Sequence, residues 1–167
     1  MLKPNTSAVP FHYAWVIVAT GTLCIFACLG FGRFALGMLL PSMATTLKLS
    51  YSEIGFISTG NFIGYLIAVL FCGRIARKTG SRKLIVIALT IISVSMALIS
   101  RAADYRVILV LYVITGMGSG AANVPVMGLI TAWFDRSIRG KAAGFVVIGS
   151  GFAIIVYDFR LDRYLVI

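Results

Sequence analysis

Charged residues are scarce in this chain, and acidic ones are the scarcest. Its 167 residues include five Asp and Glu and one His, and charged residues of both signs make up 12%. Neither the carboxylates nor His12 lies in the middle of a long apolar run. General acid–base catalysis and metal binding need such groups gathered in one site. The sequence therefore argues against an enzyme and predicts neither a metal nor another cofactor.

Cysteine is almost as rare. Cys24, Cys28 and Cys72 all lie in apolar runs, and an odd number of membrane-buried thiols argues against a disulfide framework. We expect all three to be small packing residues.

Apolar residues dominate instead. They make up 60% of the chain, which has a mean hydropathy of +1.00, whereas soluble domains contain ~45–50%. A helix needs ~20 apolar residues to cross a hydrocarbon core, and five runs are about that long. The predicted class is all-α, a polytopic membrane protein with about five transmembrane helices at residues 13–40, 53–75, 84–100, 107–134 and 142–157.

The net charge of +10 is arranged as an orientation signal. Nine of the fifteen Lys and Arg are Lys3 or belong to 74–83 and 136–141, segments that alternate with the apolar runs. A nucleic-acid surface would need one contiguous basic face, so the expected partners are the lipid bilayer and a small solute. Because Lys and Arg near helix ends stay cytoplasmic, we predict a cell-membrane protein. Its N-terminal tail, 1–12, and the basic segments would be cytoplasmic, with external loops at 43–51 and 101–106.

The most basic segment reads Gly-Arg-Ile-Ala-Arg-Lys-Thr-Gly-Ser-Arg-Lys over residues 73–83. On charge alone it is a generic cytoplasmic loop. Its order (Gly, x, aliphatic, Ala, x, basic, x, Gly, x, basic) resembles the loop between the second and third helices of major facilitator superfamily transporters. That family usually has Asp at the fifth position, where this chain has Arg77. The resemblance implies a gating loop containing Gly73, Arg77, Lys78, Gly80 and Arg82.

Two later segments carry the same resemblance. Residues 116–125 are similar to the glycine-rich fourth helix of the superfamily, although Tyr112 stands where an Arg usually precedes it. Residues 133–144 are similar to the link into the fifth helix. The superfamily fold has two six-helix halves, so the resemblance implies a partial N-terminal bundle over residues 13–156.

The fifth run is short, and we expect it to break at the charged residues that follow. Residues 157–167 then form an atypical tail. This pattern predicts a truncated and inactive transporter chain, which would need the missing C-terminal half or another membrane chain to function.

Arg33 is the one charge deep inside a predicted span, ~10 Å from the helix exit expected at Pro41 and Ser42. One interpretation is a side chain that snorkels to the interface. The other is a cation that faces a water-filled interior, where intramembrane charges mark a substrate or ion path. Gly30 and Gly37 leave room beside the guanidinium and favour the second interpretation.

Three polar residues on other spans complete the predicted solute-binding set with Arg33: Asn61, Tyr65 and Asn123. Asn61 has an alternative role as an interhelical hydrogen-bonding residue. Gly60 and Gly64 form a small-xxx-small pair on a neighbouring stripe, and Gly116, Ser119, Gly120 and Asn123 share a face of the fourth span, so both helices are expected to pack closely.

The predicted function is transmembrane transport of a small solute by a secondary transporter, and Arg33 favours an organic anion. Two other classes stay open. One is a small transporter that is complete in itself as an oligomer. The other is a structural or regulatory membrane subunit that does not transport.

Overall fold

The computed structural model describes the backbone of residues 11–165, with side chains over 16–34, 37–152 and at 155. Residues 1–10 of the predicted tail lie outside the described part. No strand occurs within residues 11–165. The elements in chain order are α1 (Phe11–Ile25), a π-helical segment (Phe26–Ala35), α2 (Leu36–Leu47), α3 (Tyr51–Thr79), α4 (Ser81–Ile99), α5 (Tyr105–Trp133) and α6 (Arg136–Leu165).

Four helical stretches in the described part are long and apolar enough to cross a membrane. They are the continuous stretch Val16–Leu47, α3, α4 and α5, with mean hydropathies between 1.7 and 2.1. Helix α6 follows these four stretches and packs against α1, and its side chain Val146 is fully buried. A Cβ on Gly149 of α6 would lie 2.7 Å from the Thr22 carbonyl oxygen, so these two helices touch through backbone. The prediction of an all-α polytopic membrane protein is confirmed.

The closest helix pair is α3 with α5, and glycines make the contact possible. A Cβ on Gly64 would collide with the Val113 carbonyl, and one on Gly116 would collide with the Asn61 carbonyl. A Cβ on Gly120 would lie 2.7 Å from the Tyr65 carbonyl oxygen. Small residues are what allow helices to associate in lipid, and the predicted close packing of both helices is confirmed.

Two clusters of buried side chains hold the two ends of the bundle. One joins α1, the start of α4, the end of α5 and the start of α6 around Ile25, Ile130 and Val146. The other joins α2, the start of α3, the end of α4 and the start of α5 around Ile57, Ile99 and Ile108. The basic segments at 74–83 and 135–141 therefore lie at the same end of the molecule, and 43–51 and 101–106 lie at the other.

The helix does not end at Pro41 and Ser42, where the sequence predicted it to, because α2 continues to Leu47. Pro41 provides no N–H, but short polar side chains bond to the carbonyls of these turns. Ser42 donates to the Leu39 carbonyl at 2.8 Å, and Thr46 donates to the Ser42 carbonyl at 3.0 Å. Neither bond goes to the Gly37 carbonyl, the one that Pro41 leaves without a backbone donor. The expected loop at 43–51 shrinks to the few residues before α3.

The basic segment 73–83 is not a loop either. Helix α3 runs to Thr79, and Gly80 alone separates it from α4. Residues 74–79 contain no helix breaker, and Arg77 Nε donates to the Gly73 carbonyl at 3.3 Å. Gly80 has a φ of +86°, a backbone conformation that suits glycine and permits the sharp corner.

The expected break near residue 157 is also absent from the backbone, because α6 continues to Leu165. Neither Gly nor Pro occurs after Gly151. Without those residues nothing in the local sequence stops the helix, and a charged helical end is free to leave the hydrocarbon region.

Candidate solute-binding site

Arg33 lies in the π-helical segment at the middle of the first span. Side chains of two other helices bond to carbonyls of this segment. The Ser119 hydroxyl donates to the Cys28 carbonyl at 2.9 Å, and the Asn61 amide donates to the Gly32 carbonyl at 3.4 Å. A side chain that inserts into the backbone ladder is a recognised cause of irregular helical turns. Residues on α3 and α5 therefore contribute to the turn that carries the arginine.

Two glycines shape the space around this turn. A Cβ on Gly32 would collide with the Ser119 hydroxyl, so glycine at this position lets α5 approach. A Cβ on Gly37 would meet nothing within 4 Å, and this residue lines an open cavity beside Arg33. Gly37 was predictable from the sequence, whereas Gly32 was not, because its role depends on the tertiary contact.

The Arg33 guanidinium lies over two aromatic rings of α3. Its central carbon is 4.2 Å from the centroid of the Phe62 ring and 5.1 Å from that of the Tyr65 ring. Both distances are within the ~6 Å range of cation–π attraction. The side chain is half-buried and lines a cavity together with residues of α3 and α5.

The positive charge has no carboxylate partner among the described side chains. The described acidic residues, Glu53, Asp104 and Asp135, lie at helix starts, and Glu53 accepts from the Ser50 backbone at 2.8 Å in a capping box. A cation at the centre of a bilayer costs at least ~2.5–3.5 kcal/mol. Each of the two cation–π contacts returns ~0.5–2 kcal/mol. The rings lower the cost of the charge without neutralising it, so the charge can still pair with an anion.

A cavity of about 420 Å³ adjoins the guanidinium. Its walls are mostly apolar, with a few polar groups at one side, which is the usual make-up of a site for a small molecule. The lining residues are Arg33, Phe34, Gly37, Met38, Ser58, Asn61, Phe62 and Tyr112.

Asn61 both lines this cavity and ties three helical stretches together. Its amide nitrogen donates to the Tyr112 carbonyl at 3.0 Å as well as to the Gly32 carbonyl. The residue is 6% exposed. These bonds account for the interhelical role that the sequence left as an alternative, and any role in binding a solute stays a prediction.

Tyr65 and Asn123 form a second polar pair, between α3 and α5. Asn123 Nδ2 donates to the Tyr65 hydroxyl at 2.8 Å. Asn123 Oδ1 is buried and has no hydrogen-bond partner among the described residues. A buried acceptor left unpaired costs about 1–3 kcal/mol, so this amide is poised to accept a hydrogen bond.

The structure brings Arg33 and Tyr65 together, with Asn61 beside the arginine and Asn123 bonded to the tyrosine. It does not bring in the predicted gating residues. Arg77 is fifteen residues beyond Phe62 on the same helix, ~22 Å away. Phe62 was missed because an aromatic residue on a membrane helix usually faces lipid. Its position three residues before Tyr65 was the available signal.

These features define a class: helical membrane proteins with a positively charged side chain inside an apolar span, beside a cavity large enough for a small solute. The chain belongs to the Major Facilitator Superfamily, whose sequence profile matches residues 22–157. The resemblance seen in the basic segment and the glycine-rich helix is thereby confirmed at the level of the family. Members of this family are transporters.

Several characterised proteins are similar to the chain. The MFS-type transporter pytF of Aspergillus terreus is 29% identical over 90% of this chain and 51% of its own length. The hexuronate transporter of Bacillus subtilis is 24% identical over 71% of the chain and 28% of its own length. The quinolone resistance protein NorA of Staphylococcus aureus is 28% identical over 71% of the chain and 32% of its own length. The chain thus spans about half or less of these relatives, and no solved structure matches it.

Proposed function

We propose that this chain forms part of the solute path of a secondary transporter in the cell membrane, and that the solute is a small organic anion bound at Arg33. The observation that carries the proposal is a guanidinium at the wall of a 420 Å³ cavity, with no carboxylate partner among the described side chains. An anionic solute would offset that charge.

The geometry around Arg33 suits a carboxylate. The Arg33 Cζ lies over the rings of Phe62 and Tyr65, which supply no hydrogen-bond acceptor comparable to a carboxylate. A guanidinium offers a planar set of N–H donors that can form two parallel bonds to a carboxylate. The Tyr65 hydroxyl in turn accepts a hydrogen bond from Asn123 Nδ2. The Oδ1 atom of the same Asn123 amide has no partner among the described residues.

The relatives are compatible with such a solute. The name of the Bacillus subtilis protein refers to a hexuronate, a sugar that bears a carboxylate. The name of the Staphylococcus aureus protein refers to quinolone resistance, so the superfamily members similar to this chain differ in solute. We use hexuronates as one group of test ligands.

A second set of helices is needed to close the path. Phe62 is 50% exposed beside the arginine, and the described residues leave this side of the cavity open. In lipid an open cationic face is unfavourable, so we propose that a C-terminal half or another membrane chain covers it. On this proposal residues 1–167 alone do not transport, the N-terminus is cytoplasmic, and Gly73, Arg77, Lys78, Gly80 and Arg82 act in gating at the basic end.

Binding to the chain in lipid nanodiscs tests the role of Arg33. We expect saturable binding of at least one radiolabelled monocarboxylate from a panel that includes a hexuronate. Arg33→Gln should weaken it by tenfold or more and Arg33→Lys by less, since a charge-assisted hydrogen bond is worth about 1.5–3 kcal/mol. Arg101→Gln, an exposed arginine at the far end, is the control. Unchanged binding by Arg33→Gln would make the residue a packing arginine and remove the anion proposal.

Transport assays separate the remaining classes. Saturable counterflow by the purified chain alone would favour a small oligomeric transporter. Stoichiometric co-purification with a larger membrane protein, together with no solute binding, would favour a structural or regulatory subunit.

A further inference from the structure

A second cavity lies at the basic end of the bundle, between α1, α4 and α5. It has a volume of about 340 Å³, and its interior is lined mainly by apolar side chains, among them Cys24, Ile85 and Val126. Along α1 the lining extends from Val16 to Cys24, a depth of ~12 Å. The cavity is separate from the one beside Arg33 and shares no lining residue with it.

The mouth of this cavity is polar on one side. Arg82, the second residue of α4, and Trp133, the last residue of α5, both line it and are both exposed. Indole rings favour the level of lipid headgroups. The adjoining segments 74–83 and 135–141 hold eight basic residues and one acidic residue, so this end attracts anionic lipid.

We propose that this cavity is a binding site for one anionic phospholipid, with its phosphate at Arg82 and part of an acyl chain in the apolar interior. Charge selects the headgroup: a phosphate accepts hydrogen bonds from the guanidinium edge. The apolar interior selects the chain, because a soluble phosphate ester would leave it empty. Basic pockets between membrane helices on the cytoplasmic side are suited to anionic headgroups.

Native mass spectrometry of the chain in nanodiscs tests this site. The discs contain phosphatidylglycerol and phosphatidylcholine with identical acyl chains. We expect the wild-type chain to retain one phosphatidylglycerol molecule in preference to phosphatidylcholine. Arg82→Gln should reduce that preference about fivefold, as expected for one basic residue near a lipid surface. Thr20→Phe should abolish retention of both lipids, because Thr20 lines the cavity on α1 and a phenylalanine ring there would occupy the space for the acyl chain.

Each variant has a matched control. Arg101→Gln removes an exposed arginine at the other end, and Thr90→Phe replaces an exposed threonine whose hydroxyl bonds a carbonyl four residues back at 2.9 Å, as Thr20 does at 2.7 Å. Helical circular dichroism and a single monodisperse species show that each variant is folded, and Arg82→Gln alone decides the headgroup claim if Thr20→Phe fails this check.

Four results would overturn the proposal. Two are equal lipid preference in Arg82→Gln and wild type, and an equal loss of preference in Arg101→Gln. A third is displacement of the lipid by inorganic phosphate at millimolar concentration, which would mean that the mouth binds a free anion. The fourth is retention of a peptide segment in place of lipid, which would mean that the cavity receives another helix.

Discussion

Arg33 stays in the bundle because aromatic rings replace part of its hydration. Phe62 at 4.2 Å and Tyr65 at 5.1 Å present their negative faces to the guanidinium. Both rings come from one helix and stand one turn apart, so a single surface of α3 receives the charge. Phe62 contacts Arg33 and lines the same cavity, so we expect it to act as a positioning residue for the guanidinium.

Replacing Phe62 tests this positioning role. Phe62→Leu keeps an apolar side chain but removes the ring, so we expect unfolding free energy in mixed micelles to fall by about 0.5–2 kcal/mol, the worth of a cation–π contact. Phe71→Leu, at a similarly exposed ring on α3, is the control. The difference should vanish in an Arg33→Gln background. Equal losses in the two backgrounds would mean that the ring packs without engaging the charge.

The residues of the site were predictable only where their chemistry is unusual for a membrane. Arg33 was predictable because it is a charged residue inside an apolar run. Asn61, Tyr65 and Asn123 were predictable because they are polar residues on glycine-rich helices. Phe62 and Gly32 are ordinary membrane residues. Their roles come from contacts between α3, α5 and the π-helical segment, and those contacts have no local pattern in the sequence.

At the scale of helices, hydropathy predicts where a span lies and says little about where its helix ends. Helix α3 extends past its apolar run because 74–79 contains good helix formers and no breaker, and it ends at Gly80. Helix α2 continues past Pro41 to Leu47 although a proline at this point favours a helix end. Hydrogen bonds and backbone conformation decide these ends, and a hydropathy pattern registers neither. The glycine faces of α3 and α5 were predictable because small residues recur at helical spacing.

The α3–α5 contact should be highly sensitive to one added methyl group. Gly64→Ala would place a Cβ against the Val113 carbonyl, which is backbone and has no rotamer to yield. We expect a loss of about 1–3 kcal/mol in unfolding free energy, the usual cost of overpacking. Gly55→Ala on the same helix, where a Cβ would meet nothing within 4 Å, should be neutral or stabilising. Equal stability of the two variants would show that α3 and α5 do not approach through Gly64.

At the scale of the whole molecule, charge is polarised between the two ends. Segments 74–83 and 135–141 hold eight basic residues and one acidic residue, against three basic and two acidic in 43–53 and 101–106. The packing clusters place the members of each pair at the same end. The orientation signal in the sequence and the helix packing agree in dividing the segments into two groups.

Cysteine labelling tests which group is cytoplasmic. In a chain with Cys24, Cys28 and Cys72 replaced, a single cysteine at Ser81 should react with a membrane-impermeant maleimide only from the cytoplasmic side. One at Thr46 should react only from outside. The measurement uses intact cells and inverted vesicles in parallel. Labelling of both positions from the same side would contradict the arrangement of the first three spans.

The π-helical segment gives the first span more residues per turn than a regular α-helix would have over the same stretch. Each residue of an α-helix turns the chain by ~100° and advances it by 1.5 Å, and Phe26–Ala35 departs from that pitch over ten residues. Deleting one residue there would let the segment rewind as α-helix. Since each residue of an α-helix adds ~100° of turn, the chain beyond the deletion would face a different direction relative to α1, and we expect Arg33 to leave the rings of α3. In this span the number of residues, as much as their identity, sets the direction in which the charge points.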